Sequence, residues 1–100
     1  MLRLERVVHM TIGVYKITNK INGKAYVGAS TDLQQRKIDH LKPSALKGGR
    51  GKLPLYQDIK QYGKENFDFE IIEEGPDINL DEREQYYIQY YQSQKNGYNK

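Results

Sequence analysis

The chain of 100 residues has no cysteine. That removes disulfides, thiolate metal sites and cysteine nucleophiles together, so any metal must be held by oxygen or imidazole. The absence also suits a reducing compartment. Long apolar runs are missing as well. None approaches the roughly 20 residues needed to cross a bilayer, and the segment from Met1 to His9 lacks the apolar stretch of a signal peptide, which makes the cytoplasm the expected location. There is no repeat and no low-complexity segment. Acidic charge is scarce in the first part of the chain: residues 1–64 carry 13 Lys/Arg against 4 Asp/Glu, whereas residues 65–100 carry 3 against 9. Within the basic part, Arg36, Lys37, Lys42, Lys47, Arg50, Lys52, Lys60 and Lys64 are opposed only by Asp39 and Asp58. Such a block either binds phosphates or forms a solvated helical surface.

A hydrophobic fraction of 37% beside a charged fraction of 29% is that of a folded protein, and 100 residues fit one small domain. Residues 1–11 read as an N-terminal extension and 12–100 as the domain. Ile12–Thr18 and Lys24–Gly28 are β-branched and aromatic, and Asn22-Gly23 between them signals a hairpin. With a two-residue turn, Ile21 pairs with Lys24 and Asn19 with Tyr26, which puts Tyr15 and Tyr26 on one face. A register moved by one residue would separate them. Thr31 followed by Gln34 resembles a capping box and predicts a helix from about 32 to 42, before Pro43. On it Arg36 and His40 share a face, next to a loop of three glycines over 47–51. A second helix is expected over 53–62 and a third strand over 67–72, with Gly75-Pro76 ending it. A last helix from 79 or 80 to 92 and a turn at Asn96–Asn99 complete the chain.

In the last helix Leu80, Glu84, Tyr87, Ile88 and Tyr91 form one stripe. An ionised carboxylate is costly to bury unpaired, so Glu84 either reaches solvent at the edge of the stripe or meets a cation, whether a side chain such as Arg36 or a metal ion. Asp81 and Glu82 face elsewhere. Most tyrosines, including Tyr56, Tyr62, Tyr86, Tyr90 and Tyr91, are expected to pack in the core. Tyr15 and Tyr26 differ in sitting beside glycines, which would leave a phenol open to a ligand.

Gly13-Val14-Tyr15 and Tyr26-Val27-Gly28 resemble the paired motifs that name the GIY-YIG nuclease superfamily, with Val for Ile twice. Arg36, His40, the glutamate of Glu82-Arg83-Glu84 and the closing Asn96-Gly97-Tyr98-Asn99 follow in the family's order. Five short motifs in order over 12–99 carry far more weight than any one of them. The likeness is greatest to the nuclease domains of phage- and intron-encoded homing endonucleases. It implies an α+β fold with a small three-stranded antiparallel sheet flanked by about three helices. It implies a metal-dependent DNA endonuclease, and often a separate DNA-recognition region. One departure is visible: related homing nucleases often carry a further histidine in the loop after the first helix, where this chain has Arg50.

On this resemblance Tyr15, Tyr26, Arg36, His40 and Glu84 are the catalytic set. Glu84 would hold one Mg²⁺ or Mn²⁺, whose shell is completed by waters and a phosphate oxygen. Arg36 would grip the scissile phosphate. Tyr15 would orient or deprotonate the attacking water, assisted by Tyr26 and His40, with Arg36 and the metal favouring its phenolate. Arg36, Lys37, Lys47, Arg50 and Lys52 would bind DNA, and Gly13, Gly28 and Asn99 would support the site. The alternatives are a non-catalytic nucleic-acid-binding module of the same fold, or a structural domain. The retained polar set argues against the first and the basic half against the second.

Overall fold

The computed structural model describes residues 11–41 and 53–99. Most of the expected N-terminal extension lies outside these residues, as does the basic loop with Lys47, Arg50 and Lys52. The strands are β1 (Gly13–Asn19), β2 (Ala25–Ser30) and β3 (Phe67–Glu74), arranged antiparallel in the order β2-β1-β3. The helices are α1 (Leu33–Leu41), α2 (Pro54–Tyr62), α3 (Leu80–Tyr91) and the four-residue α4 (Ser93–Asn96), with a 3₁₀ turn at Lys64–Asn66. The expected α+β sheet-and-helix architecture is therefore present. The short α4 and the 3₁₀ turn are additions to it. At the start, the Thr11 carbonyl already accepts from Leu33 N and the Ile12 carbonyl from Gly75 N, so the chain joins the fold there.

The hairpin differs from its expected register. Ile17 pairs with Tyr26 and Tyr15 with Gly28, and Asn19 N bonds Lys24 O at 2.9 Å, leaving residues 20–23 as the loop. The shift is two residues, so parity is kept and Tyr15 and Tyr26 stay on one face, with ring centroids 6.2 Å apart. Asn19 explains the early turn. Its buried side chain accepts from Ile21 N at 2.9 Å, which bends the chain before Asn22-Gly23 is reached. Gly23, at φ +79°, then completes the loop.

Two corrections concern helix ends and faces. Thr31 is exposed, and α1 is capped instead by Asp32, whose carboxylate accepts from Gln35 N at 3.2 Å. Ser30 Oγ in turn accepts from Asp32 N at 2.9 Å. Tyr86 and Tyr90, expected in the core, are 48% and 65% exposed and stack on each other one helical turn apart. They fall outside the stripe of α3 that meets the sheet.

The sheet has apolar groups on both faces because β1 is central. Tyr15 and Ile17 pack with Leu33, Leu55, Tyr56, Ile59, Phe67 and Tyr98 on one side. Val14 and Val27 pack with Ile88 of α3 on the other. Complete burial of a residue such as Ile17 or Leu33 contributes about 1.5–3 kcal/mol. A bulge opposite Val14 and Tyr15 brings β3 so close to Gly13 that a side chain there would overlap the Glu73 carbonyl.

Candidate active site

The site grows out of one cross-strand pair. Tyr15 points from the central strand to the α1 and α2 side, and its phenol lies over Gly28, where any Cβ would collide with the ring and hydroxyl. Phe69 stacks on the ring at 4.8 Å and 14°, fixing its plane. Tyr15 has no exposed surface. Its hydroxyl is 2.8 Å from His40 Nε2 and feels the nearby Arg36 charge.

Helix α1 supplies both partners, since Arg36 and His40 are one turn apart. His40 is buried rather than a surface histidine, with Tyr15 at one ring nitrogen and Tyr56 Oη 2.5 Å from the other. Tyr26, Arg36, His40 and Tyr56 line a cleft of about 330 Å³, closed on other sides by Leu53, Pro54, Leu55, Tyr98 and Asn99. Tyr15 stands behind this wall. Lys37 of the expected DNA-binding set is exposed on α1.

Burial pushes the Tyr15 phenol well above its ordinary value, and neighbouring Tyr26 adds to the rise, outweighing the hydrogen bond and charge of Arg36, which pull it down. The expected net shift toward phenolate is thus reversed among the protein's own groups. The physical reason is desolvation: a sealed phenolate loses its water before Arg36 can compensate.

Glu84 comes from α3, which packs mainly on the opposite face against β2 and β1. Its carboxyl is half-buried, and burial and then the Asp81 carboxylate raise its pKa, while the Arg36 charge lowers it. Asp81 is therefore exposed yet electrostatically linked to Glu84 across one helical turn. Among the described residues no group of three or more His, Cys, Asp or Glu side chains forms a metal cage. A partly desolvated carboxylate with another beside it suits a hard divalent cation that takes most of its ligands from water and substrate. Between the two flanking acids of α3, Arg83 serves structure: its Nε is 2.9 Å from Glu73 Oε1, which also accepts from Tyr87 at 2.8 Å.

The closing segment braces the cleft. Asn99 uses both ends of its amide on Val27 of the edge strand, accepting from N at 2.8 Å and donating to O at 2.9 Å. Tyr98 donates to Asp58 of α2 at 2.6 Å and accepts from Asn19 at 3.0 Å, linking helix, hairpin and tail. Sequence reasoning missed Tyr56, Tyr98, Asn19 and Asp58 as parts of this assembly. Tyr98 lies inside the recognised closing motif, which was a usable signal. No spacing rule connects positions 40 and 56.

A model of the GIY-YIG catalytic domain family matches residues 11–99. A curated relative, intron-associated endonuclease 1 of Enterobacteria phage T4, is 36% identical over 93 residues, covering 90% of this chain and 37% of its own length. The chain thus spans little more than a third of that protein. Among solved structures, a mutant of the catalytic domain of intron endonuclease I-TevI superposes with a TM-score of 0.78 at 34% identity, over 90% of this chain and 93% of that one. A second structure, of the catalytic domain of homing endonuclease I-TevI, gives 0.75 at 32% identity over 87% and 95%. Sequence match, superposition and the meeting of the two motif tyrosines with Arg36 and His40 agree: the chain belongs to the GIY-YIG family of catalytic domains.

Proposed function

We propose that this chain is a DNA endonuclease domain that hydrolyses phosphodiester bonds with one divalent cation, Mg²⁺ or Mn²⁺, at Glu84. It would act beside a separate DNA-recognition region, as in homing endonucleases. The observation that carries the reading is the convergence of Arg36, His40 and two tyrosines at one cleft, with the half-buried Glu84 carboxylate in the field of Arg36. The basic segment from Arg36 to Lys64 supplies charge for the DNA backbone.

The chemistry follows from what each group can reach. A cation at Glu84 would offset charge on the phosphate as phosphorus becomes five-coordinate. Arg36 lines the cleft and presents a planar fork of donors to the phosphate oxygens. Tyr26, the motif tyrosine on the cleft wall, would orient the attacking water in place of the sealed Tyr15, which holds His40 instead. The water oxygen bonds to phosphorus and its proton passes along the cleft to solvent. The phosphorus bond to the leaving oxygen breaks, and that oxygen takes a proton from a second water.

The test is cleavage of supercoiled plasmid at low salt with Mg²⁺, Mn²⁺ or EDTA, comparing wild type with Glu84→Ala. Nicking or linearisation by wild type with metal alone is the expected result. If Glu84→Ala cleaves within a few-fold of wild type, the metal assignment is wrong. DNA binding without cleavage would indicate a binding module instead.

A further inference from the structure

His40 sits between two phenols, with Tyr15 Oη 2.8 Å from Nε2 and Tyr56 Oη 2.5 Å from Nδ1. Its ring stacks on that of Tyr56 at 5.6 Å and 23°. A neutral imidazole carries one N–H, so one nitrogen donates and the other accepts. Tyr15 decides which. With no exposed surface, its O–H must find an acceptor inside the protein. Arg36, whose charge acts on the Tyr15 oxygen, has only donors and cannot take the hydrogen. The acceptor at hand is Nε2 of His40. The imidazole hydrogen is then on Nδ1, pointing at the Tyr56 oxygen.

We propose that Tyr56 is a positioning residue of the nuclease site, accepting from His40 Nδ1–H and so fixing the tautomer whose Nε2 accepts from Tyr15. The donors then run in one direction, from Tyr15 to His40 to Tyr56. This deepens the nuclease reading and rests on it. The consequence for the reaction lies at Arg36. With its hydrogen committed to His40, Tyr15 leaves its lone pairs, rather than its hydrogen, to the Arg36 charge, and Arg36 lines the cleft in which a phosphate would dock. Without the hydroxyl at position 56, the Nδ1–H loses this acceptor. The imidazole then gains by carrying its hydrogen on Nε2, where it opposes the hydrogen of Tyr15. The aromatic ring of Tyr56 packs in the core with Leu55 and Ile59 and stacks on His40, and Tyr56→Phe keeps that ring while removing the hydroxyl.

The experiment uses Tyr56→Phe beside Tyr62→Phe, the same one-atom deletion on the same helix in a ring that packs on the core. The chain has two histidines, so His9→Gln leaves His40 as the one imidazole in a nitrogen-15 NMR spectrum. Wild type is expected to show its hydrogen on Nδ1, and Tyr56→Phe a shift toward Nε2. Wild type with the hydrogen on Nε2, or an unchanged tautomer in Tyr56→Phe, overturns the proposal. Single-turnover cleavage should fall about tenfold or more in Tyr56→Phe. DNA affinity in EDTA should stay within about twofold of wild type, and Tyr62→Phe should cleave normally. Equal cleavage by Tyr56→Phe and wild type overturns the role, as does an equal fall in Tyr62→Phe. Should Tyr56→Phe fail to fold, the wild-type tautomer alone decides. A wild type that cleaves no DNA refutes the nuclease reading, while the spectrum still judges the hydrogen-bond chain.

Discussion

Gly28 faces Tyr15 directly across the β1–β2 ladder, and the Tyr15 phenol occupies the space in which a side chain at position 28 would stand. The second motif's glycine is therefore part of the first motif's tyrosine site. Gly28→Ala forces the ring away from its stack on Phe69 and from His40. Overpacking of this kind costs about 1–3 kcal/mol. The expected outcome is a lower Tm together with a fall in cleavage larger than the fall in folded protein. Circular dichroism melting and cleavage at a temperature where the variant is fully folded separate the two. Wild-type rates from folded Gly28→Ala would show that the placement of the Tyr15 phenol does not matter.

Tyr98 ties three elements together through one oxygen, with Asp58 accepting and Asn19 donating. Tyr98→Phe leaves the buried Asn19 amide short of a partner and should destabilise the fold by about 1–3 kcal/mol. Burial, then the bond to Asp58, push the Tyr98 hydroxyl up to about 12 from an ordinary 10. Between these values the folded state keeps a proton that the unfolded chain has lost, so stability declines as pH rises through that window. Urea midpoints measured from pH 9 to 12 should fall with a shallower slope in Tyr98→Phe. Parallel slopes would mean that the hydroxyl does not ionise late.

The sequence made the site's membership legible further than its wiring. Parity along a strand is a strict consequence of the two-residue repeat, so Tyr15 and Tyr26 stay on one face even though Asn19 turns the hairpin two residues early. The spacing of Arg36 and His40 likewise fixes a shared helical face. What spacing does not carry is depth. Tyr15 is sealed and Tyr26 lines the cleft, a difference set by packing of α1 and α2 over the sheet. Among the protein's own groups, without metal, desolvation at that depth outweighs the pull of Arg36 on the Tyr15 phenol. Tyr56 was indistinguishable in sequence from a core tyrosine because its ring is one; its contact with His40 depends on the docking of two helices. Tyr86 and Tyr90 went wrong in the opposite sense, since aromatic character alone does not decide burial.

Asn99 acts on β2 as an adjoining strand would, meeting both backbone groups of Val27 with one amide. Asn99→Asp keeps the acceptor and loses the donor, and Asn99→Ala loses both. Both variants should be less stable than wild type, Asn99→Ala by about 1–3 kcal/mol, while Asn99→Asp sets a carboxylate oxygen against the Val27 carbonyl where the amide donated. Cleavage should fall with stability, because Val27 adjoins Tyr26 on the cleft wall. Equal melting temperatures for Asn99→Ala and wild type would place the bracing of β2 elsewhere.

Glu84 should trade stability for function. Burial and the Asp81 carboxylate hold its pKa above the usual carboxylate value in the folded protein without metal. The folded state then keeps the proton longer than the unfolded chain as pH rises. Stability is lost through the window between the two pKa values, and the deficit persists at neutral pH. Glu84→Gln removes the charge and keeps the shape, so in EDTA at pH 7 it should melt above wild type. The gap should shrink as the solution is acidified toward the ordinary carboxylate range. In Mg²⁺ the order should narrow or invert, because a cation that binds only the folded carboxylate stabilises wild type by mass action and leaves the variant unmoved. The same variant should cleave only at background. Thermal melts of both proteins with EDTA and with Mg²⁺, run beside plasmid cleavage, give the answer. Equal stabilisation of both proteins by Mg²⁺ would place the cation away from Glu84, and a lower Tm for Glu84→Gln in EDTA would mean that Arg36 pairs with Glu84 strongly enough to repay the burial of its charge.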